Sequence, residues 1–112
     1  MSQSHTQISF RNMDKPLGVE ERVIEKVDAL RRFHPHITAC RVMIERRHHS
    51  HWKGDHFHVG INLSVPGAEL VVTREPAQKG AHEELAVAIH DAFDQMRSQI
   101  ETHLGRQRAA AG

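Results

Sequence analysis

Apolar and polar residues alternate most regularly over residues 57–65, where every second residue is apolar. This pattern predicts a β-strand that needs cover on one face only. Pro66 and Gly67 follow, and they suit the centre of a type II turn because proline fixes φ and glycine tolerates a positive φ. The apolar residues 70–72 then predict the returning strand of a hairpin.

Shorter alternating stretches predict two more strands. Ile8 and Phe10 alternate with polar residues and predict a short first strand. Residues 37–46 predict a second strand, with Cys40 on the covered side of the sheet. No neighbour in sequence would lower the pKa of this thiol, so we expect Cys40 to be a small buried hydrophobic residue and not a reactive group.

Apolar residues at three- and four-residue spacing predict two helices. The first is expected to begin near Asp14 and Pro16 and to end at Phe33. The second is expected to begin within residues 79–82 and to end at Gly105, with residues 106–112 as a loose tail. The two apolar stripes consist of Val19, Val23, Val27, Leu30 and Phe33, and of Leu85, Ile89, Ala92, Phe93, Met96, Ile100 and Leu104.

The predicted order is therefore strand, helix, three strands, helix. Two amphipathic helices and one apolar sheet face predict an α+β fold, a two-layer sandwich in which both helices cover the same face of a four-stranded sheet. We expect one domain over residues 1–112, with its core at about 7–104. The other sheet face is expected to be open to water or a partner, and it carries Arg41, Glu45, His56, His58, Asn62, Ser64 and Thr73.

The amino-acid composition indicates where the protein acts but does not identify its partner. The single cysteine and the lack of a membrane-spanning or secretory segment predict a cytoplasmic protein. The 15 lysines and arginines nearly balance the 14 acidic residues, so the overall charge does not indicate a nucleic-acid-binding protein. Eleven histidines could add positive charge near neutral pH. Only the distribution of charge over the surface can therefore indicate an RNA-binding site.

Two stretches resemble a known family. Residues 65–72 (VPGAELVV) and 88–96 (AIHDAFDQM) are similar to the hairpin and final helix of the ribosome hibernation-promoting factors, also called ribosome-associated translation inhibitors or sigma-54 modulation proteins. Lys26 and residues 30–33 (LRRF) extend the similarity. The resemblance implies a β-α-β-β-β-α fold similar to double-stranded-RNA-binding domains.

The same resemblance implies a function. It implies binding to the small ribosomal subunit and its RNA where messenger and transfer RNA would otherwise sit, and inhibition of translation by occupancy during stress or stationary phase. The chain resembles the short form of the family, which lacks a second, dimerising domain, so we expect a monomer or weak dimer without a cofactor.

The candidate RNA-binding residues are mostly cations. Lys26 and Arg32 match family positions, and Lys79 lies at a predicted helix N-terminus, where backbone amides favour phosphate. Trp52 either stacks on unpaired bases or shields the sheet edge. The full set is Arg22, Lys26, Arg31, Arg32, Arg46, Arg47, Trp52, Lys53, Lys79, His82 and Arg97.

The second predicted helix is less basic than an RNA-binding helix would be. Between residues 81 and 104 it has five acidic residues, and Arg97 is its only lysine or arginine. Since phosphate contacts supply most non-specific RNA affinity, we expect weaker binding with a flatter salt dependence than a strongly basic surface would give.

Two alternatives remain open. His56 and His58 lie two apart on one strand, and His49 and His51 could complete a tetrahedral zinc site from the preceding loop. The second alternative is a protein-interaction module acting on transcription, as one of the family names suggests. An enzyme is not indicated, because the sequence has no phosphate-binding glycine loop, nucleophile elbow or metalloprotease helix motif.

Overall fold

The computed structural model describes residues 5–47, 56–74 and 84–111, with side chains up to residue 106. The elements are β1 (His5–Arg11), α1 (Val19–Phe33), β2 (Ala39–Arg47), β3 (His56–Val65), β4 (Ala68–Arg74) and α2 (Leu85–Ala111). This order confirms the predicted β-α-β-β-β-α fold. No helix within the described ranges combines the length and the apolar character needed to cross a membrane.

The four strands form one sheet in the order β1-β2-β3-β4. β1 runs parallel to β2, whereas the β2–β3 and β3–β4 pairs are antiparallel. A parallel pair needs a crossover connection, and α1 supplies it. The register aligns Ile8, Val42, Ile61 and Val72 across all four strands. The helices pack against this apolar row.

Both helices cover the same face of the sheet. α1 buries Val23, Val27 and Leu30 in the core. α2 buries Ala88, Ile89, Ala92, Phe93, Met96 and Ile100 in the same cluster. The sheet contributes Cys40, Val42, Ile44, Phe57, Val59, Ile61, Leu63 and Val72. The predicted two-layer sandwich is confirmed.

The inward position of Cys40 is also confirmed. Burial raises the pKa of its thiol to about 11, so at neutral pH it is protonated and packs as an apolar residue.

The hairpin turn has the predicted backbone. Gly67 has a φ of 80°, which is the value that the third residue of a type II turn requires. Pro66 precedes it, and Val65 pairs with Ala68 across the turn. The turn therefore sets the register of β3 against β4.

Two predicted helix ends were wrong. α1 begins at Val19, after Gly18 with a φ of 80°, and not at Asp14 or Pro16. α2 begins at Leu85, after the non-helical Glu84, and the predicted start within residues 79–82 lies outside the described residues. Gly105 does not end α2, which continues to Ala111. Glycine costs only about 1 kcal/mol in a helix relative to alanine, and the good helix formers that follow Gly105 offset this cost.

Candidate nucleic-acid interface

A shallow groove of about 160 Å³ separates the two helices. Lys26, Ala29 and Leu30 line it from α1, and His90, Phe93, Asp94 and Arg97 line it from α2. Arg22 lies one helical turn before Lys26, so both cations project from the same side of α1. The groove therefore brings together two of the predicted cations, Lys26 and Arg97, and Arg22 lies on the same side of α1 as Lys26.

Charge on α1 is segregated, although its total is balanced. At 100° per residue, Arg22 and Lys26 lie on the side of α1 that faces α2. Glu21, Glu25 and Asp28 are exposed and fall on the side turned away from the core and the groove. Within the described ranges, neither Arg22 nor Lys26 forms an ion pair with a carboxylate. Both cations remain available to an anionic partner.

Arg32 and Arg31 point away from the groove. Arg32 is exposed and lies on the same side of α1 as the acidic residues. Arg31 is half-buried, and its Nη1 donates a hydrogen bond to Thr6 Oγ1 at 2.9 Å. Its Nη2 also donates to the carbonyl oxygen of His5 at 3.4 Å. Arg31 therefore fastens α1 to β1, a structural role that its positive charge in the sequence did not indicate.

Phe33 was predicted to belong to the buried stripe of α1, and this was wrong. Its side chain is 47% exposed, because at 100° per residue it falls on the flank of α1 that carries Arg22 and Lys26 and not on the buried stripe. The guanidinium carbon of Arg97 lies 4.6 Å from the Phe33 ring centroid, within cation–π distance. Arg97 Nε also lies 3.8 Å from Glu101 Oε2. Arg97 is thus held at the end of the groove, with half of its side chain open to solvent.

A buried arginine neutralises part of the negative charge on α2. Arg74, at the end of β4, is 5% exposed. Its Nη2 donates a hydrogen bond to Asp91 Oδ2 at 3.1 Å. Asp91 therefore faces an internal cation, and the surface of α2 is less acidic than its sequence indicates. Sequence reasoning missed Arg74 because its position at a strand end gives no sign of burial.

Arg46 and Arg47 lie at the end of β2 and are not among the described residues that line the inter-helix groove. Arg47 Nε lies 3.3 Å from Glu45 Oε1, and Asn12 Nδ2 donates to Glu45 Oε2 at 3.2 Å. The ion pair with Glu45 therefore partly neutralises the charge of Arg47. The predicted residues Trp52, Lys53, Lys79 and His82 lie outside the described residues, so their roles stay predictions.

His90 was not among the predicted interface residues, yet it lines the groove beside Lys26 and Arg97. His90 precedes Asp94 by four residues and Arg97 by seven. This helical spacing in the sequence could have predicted that His90 lies on the same side of α2 as these two residues.

His56 and His58 share one face of β3, as predicted, but they are not open to water. His56 is fully buried and His58 is 8% exposed. His58 and Met43 fill the space beside Gly60, which has no side chain of its own. Strand alternation fixes the face on which a residue lies but not its exposure, which depends on its neighbours. Glu45 lies directly opposite His58 on β2.

The described residues contain no group of three or more histidine, cysteine or acidic side chains placed to hold a metal ion. His49 and His51 lie outside the described residues. The four-histidine zinc site therefore stays a prediction.

Comparisons with known proteins agree on the fold. The N-terminal domain of Protein Y from Thermus thermophilus superposes with a TM-score of 0.67 at 19% identity, covering 90% of this chain and 99% of that domain. A ribosomal subunit interface protein from Coxiella burnetii superposes with a TM-score of 0.60 at 15% identity, covering 94% and 98% of the two chains. A search of curated proteins finds no match.

The sequence itself shows the family. A family model described as "Sigma 54 modulation protein / S30EA ribosomal protein" matches residues 6–108, which is nearly the whole chain. The match spans every element from β1 to most of α2. The protein therefore belongs to the sigma 54 modulation protein and S30EA ribosomal protein family.

Proposed function

We propose that this protein is a ribosome-associated factor that binds the small ribosomal subunit and inhibits translation. Inhibition is by occupancy of the channel for messenger and transfer RNA during stress or stationary phase. Family membership supports the association with ribosomes. One of the solved structures with this fold is a ribosomal subunit interface protein, which is consistent with the proposal.

The observation that carries the proposal is the position of Arg22 and Lys26. Both lie on the side of α1 that faces α2, and Arg97 extends the positive charge across the groove. Cations on adjacent helical turns can contact successive phosphates of an RNA backbone. The acidic residues of α1 are turned to another side, so they do not oppose this contact. We infer that the inter-helix groove is the main contact with ribosomal RNA.

The proposed mechanism needs no chemical step and no cofactor. A bound protein that fills the space of messenger or transfer RNA inhibits translation without bond formation. Cys40, the single cysteine of the chain, is buried with a raised pKa and therefore supplies no nucleophile. We further propose a cytoplasmic protein that acts as a monomer or weak dimer.

Co-sedimentation with small ribosomal subunits tests this proposal. The variant Arg22→Glu with Lys26→Glu reverses both cations on this side of α1, and we expect it to leave the subunit fraction at moderate salt. A matched control is Arg11→Glu with Arg41→Glu, since both arginines are exposed on the open face of the sheet. The control variant is expected to sediment with subunits as the wild type does.

Salt dependence supplies a second readout. Each lost phosphate contact lowers the slope of log K against log salt by about 1, so the groove variant should show a slope lower by about 2. Wild-type protein that stays out of subunit fractions at all salt concentrations would disprove the proposed function. Equal release by the groove and sheet variants would instead disprove the assignment to the groove.

A further inference from the structure

A second cavity, of about 460 Å³, opens at the end of the sandwich where α1 finishes. The connection from α1 to β2, the β3–β4 turn and the second half of α2 surround it. Its volume falls in the range of small-molecule pockets, about 300–1,000 Å³. The cavity, which we call the end cleft, is separate from the groove that contains Lys26 and Arg97.

The walls of the end cleft are mainly apolar. Val65 from the turn and Ile100 and Leu104 from α2 form part of its lining. Ile100 belongs to the buried core, whereas Val65 and Leu104 are only partly buried against it. The core is therefore incompletely closed here, and an apolar group that enters the end cleft removes this surface from water.

Three imidazoles supply the polar part of the lining: His34, His36 and His103. His34 is about nine-tenths buried, and its Nε2 has no hydrogen-bond partner among the described residues. His36 is exposed and His103 is half-buried, so both lie nearer to the mouth. Burial lowers the pKa of His34, so this ring is neutral at neutral pH.

The surroundings favour a negatively charged ligand. No acidic residue is among the described residues that line the end cleft. Arg97 lies over Phe33, and Phe33 is itself part of the lining. The carboxylate of Glu101 acts on His34 from α2, and it is also paired with Arg97. A carboxylate at the mouth could accept hydrogen bonds from imidazole N–H groups without facing a like charge in the lining.

We propose that the end cleft binds a small amphipathic anion, an aliphatic chain that ends in a carboxylate. The chain packs on Val65, Ile100 and Leu104, and the carboxylate lies at the mouth beside His36 and His103. This binding is independent of RNA binding in the inter-helix groove.

The test is an NMR titration of the full chain, labelled with ¹⁵N, with decanoate and with decan-1-ol. The two probes have chains of the same length and differ in the charge of the end group. We expect saturable shifts at residues 34–37, 65–67 and 100–104, with decanoate binding about tenfold more tightly than decan-1-ol, as one charge-assisted hydrogen bond predicts. His103→Leu is expected to reduce this preference to about twofold.

Filling the cavity separates binding in the end cleft from general adsorption. Val65→Trp should raise the Kd for decanoate at least tenfold, whereas Val71→Trp should leave it unchanged, since Val71 is exposed on the open sheet face. Leu104→Trp is a second filling variant in case Val65→Trp does not fold. Shifts spread over the surface, decan-1-ol binding as tightly as decanoate, or undiminished binding by the folded filling variant would each overturn the proposal.

Discussion

Removal of the ion pair between Arg74 and Asp91 tests how much this pair stabilises the fold. Asp91→Ala removes the carboxylate that faces Arg74 at 3.1 Å. The two side chains are 6% and 43% exposed, so water reaches one end of the pair. The buried guanidinium then loses a charge-assisted hydrogen bond while the helix backbone stays intact.

The expected cost follows from this geometry. Loss of one partner of a fully buried pair costs about 3–5 kcal/mol, and a hydrogen bond to a charged group contributes about 1.5–3 kcal/mol. Because Asp91 is nearly half exposed, solvent screening places the expected loss at the low end, about 1.5 kcal/mol. For a domain of this size, that loss corresponds to a fall in Tm of about 6 °C.

Thermal unfolding followed by circular dichroism measures the effect. Asp94→Ala is the matched control, because Asp94 is exposed on the same helix and forms no ion pair among the described residues. Both variants gain the same helix propensity from alanine, so the difference between them isolates the pair. A double-mutant cycle with Arg74→Met should give a coupling energy of about 1 kcal/mol. Equal Tm values for the two alanine variants, or no coupling, would refute the reasoning.

Four further predictions concern single residues. Gly105→Ala should stabilise the protein by up to about 1 kcal/mol in urea unfolding, because open space surrounds this helical glycine. Gly67→Ala should instead destabilise it by about 1 kcal/mol, because φ is 80° there; a gain in stability would contradict the turn geometry. Cys40 should react with a thiol reagent at pH 8 only at the rate of unfolding, since its folded pKa is about 11, and immediate labelling of folded protein would argue against burial. His34 has a lowered pKa because of burial, so the unfolded state binds its proton first, and stability should fall as pH drops below about 6.5. His34→Gln should flatten this fall between pH 7 and 5 in urea unfolding, and an unchanged pH dependence would contradict the burial of His34.

The pattern of apolar and polar residues along the sequence was sufficient to predict the hairpin of the sheet. The alternation of residues 57–65 identified β3 and the face that the helices cover, and Pro66 with Gly67 identified the turn. The apolar stripes identified both helices, because a period near 3.6 residues is a property of the chain alone. Helix ends were less predictable, since Gly18 precedes α1 without a side-chain cap and Gly105 lies inside α2.

The candidate site was only partly predictable, because exposure and charge pairing depend on contacts between distant segments. Lys26 and Arg97 were identified from their charge, but only packing of α1 beside α2 places them in one groove. Arg31 was identified as a possible RNA contact, yet its hydrogen bonds to β1 are formed between segments 25 residues apart. Phe33 and Arg74 illustrate the same limit, since one apolar residue is exposed and one charged residue is buried.

The parallel pairing of β1 with β2 also has a consequence for the order of folding. β3 and β4 pair across a tight turn, so their contacts are local and close a short loop. β1 must wait until α1 has formed and β2 is in place, because His5 pairs with the distant Ala39. β1 is also an edge strand, with β2 as its one neighbour in the sheet. We therefore expect the chain to assemble from its hairpin outward and to open from its first strand, so amide hydrogens of residues 6–10 should exchange before those of residues 57–63.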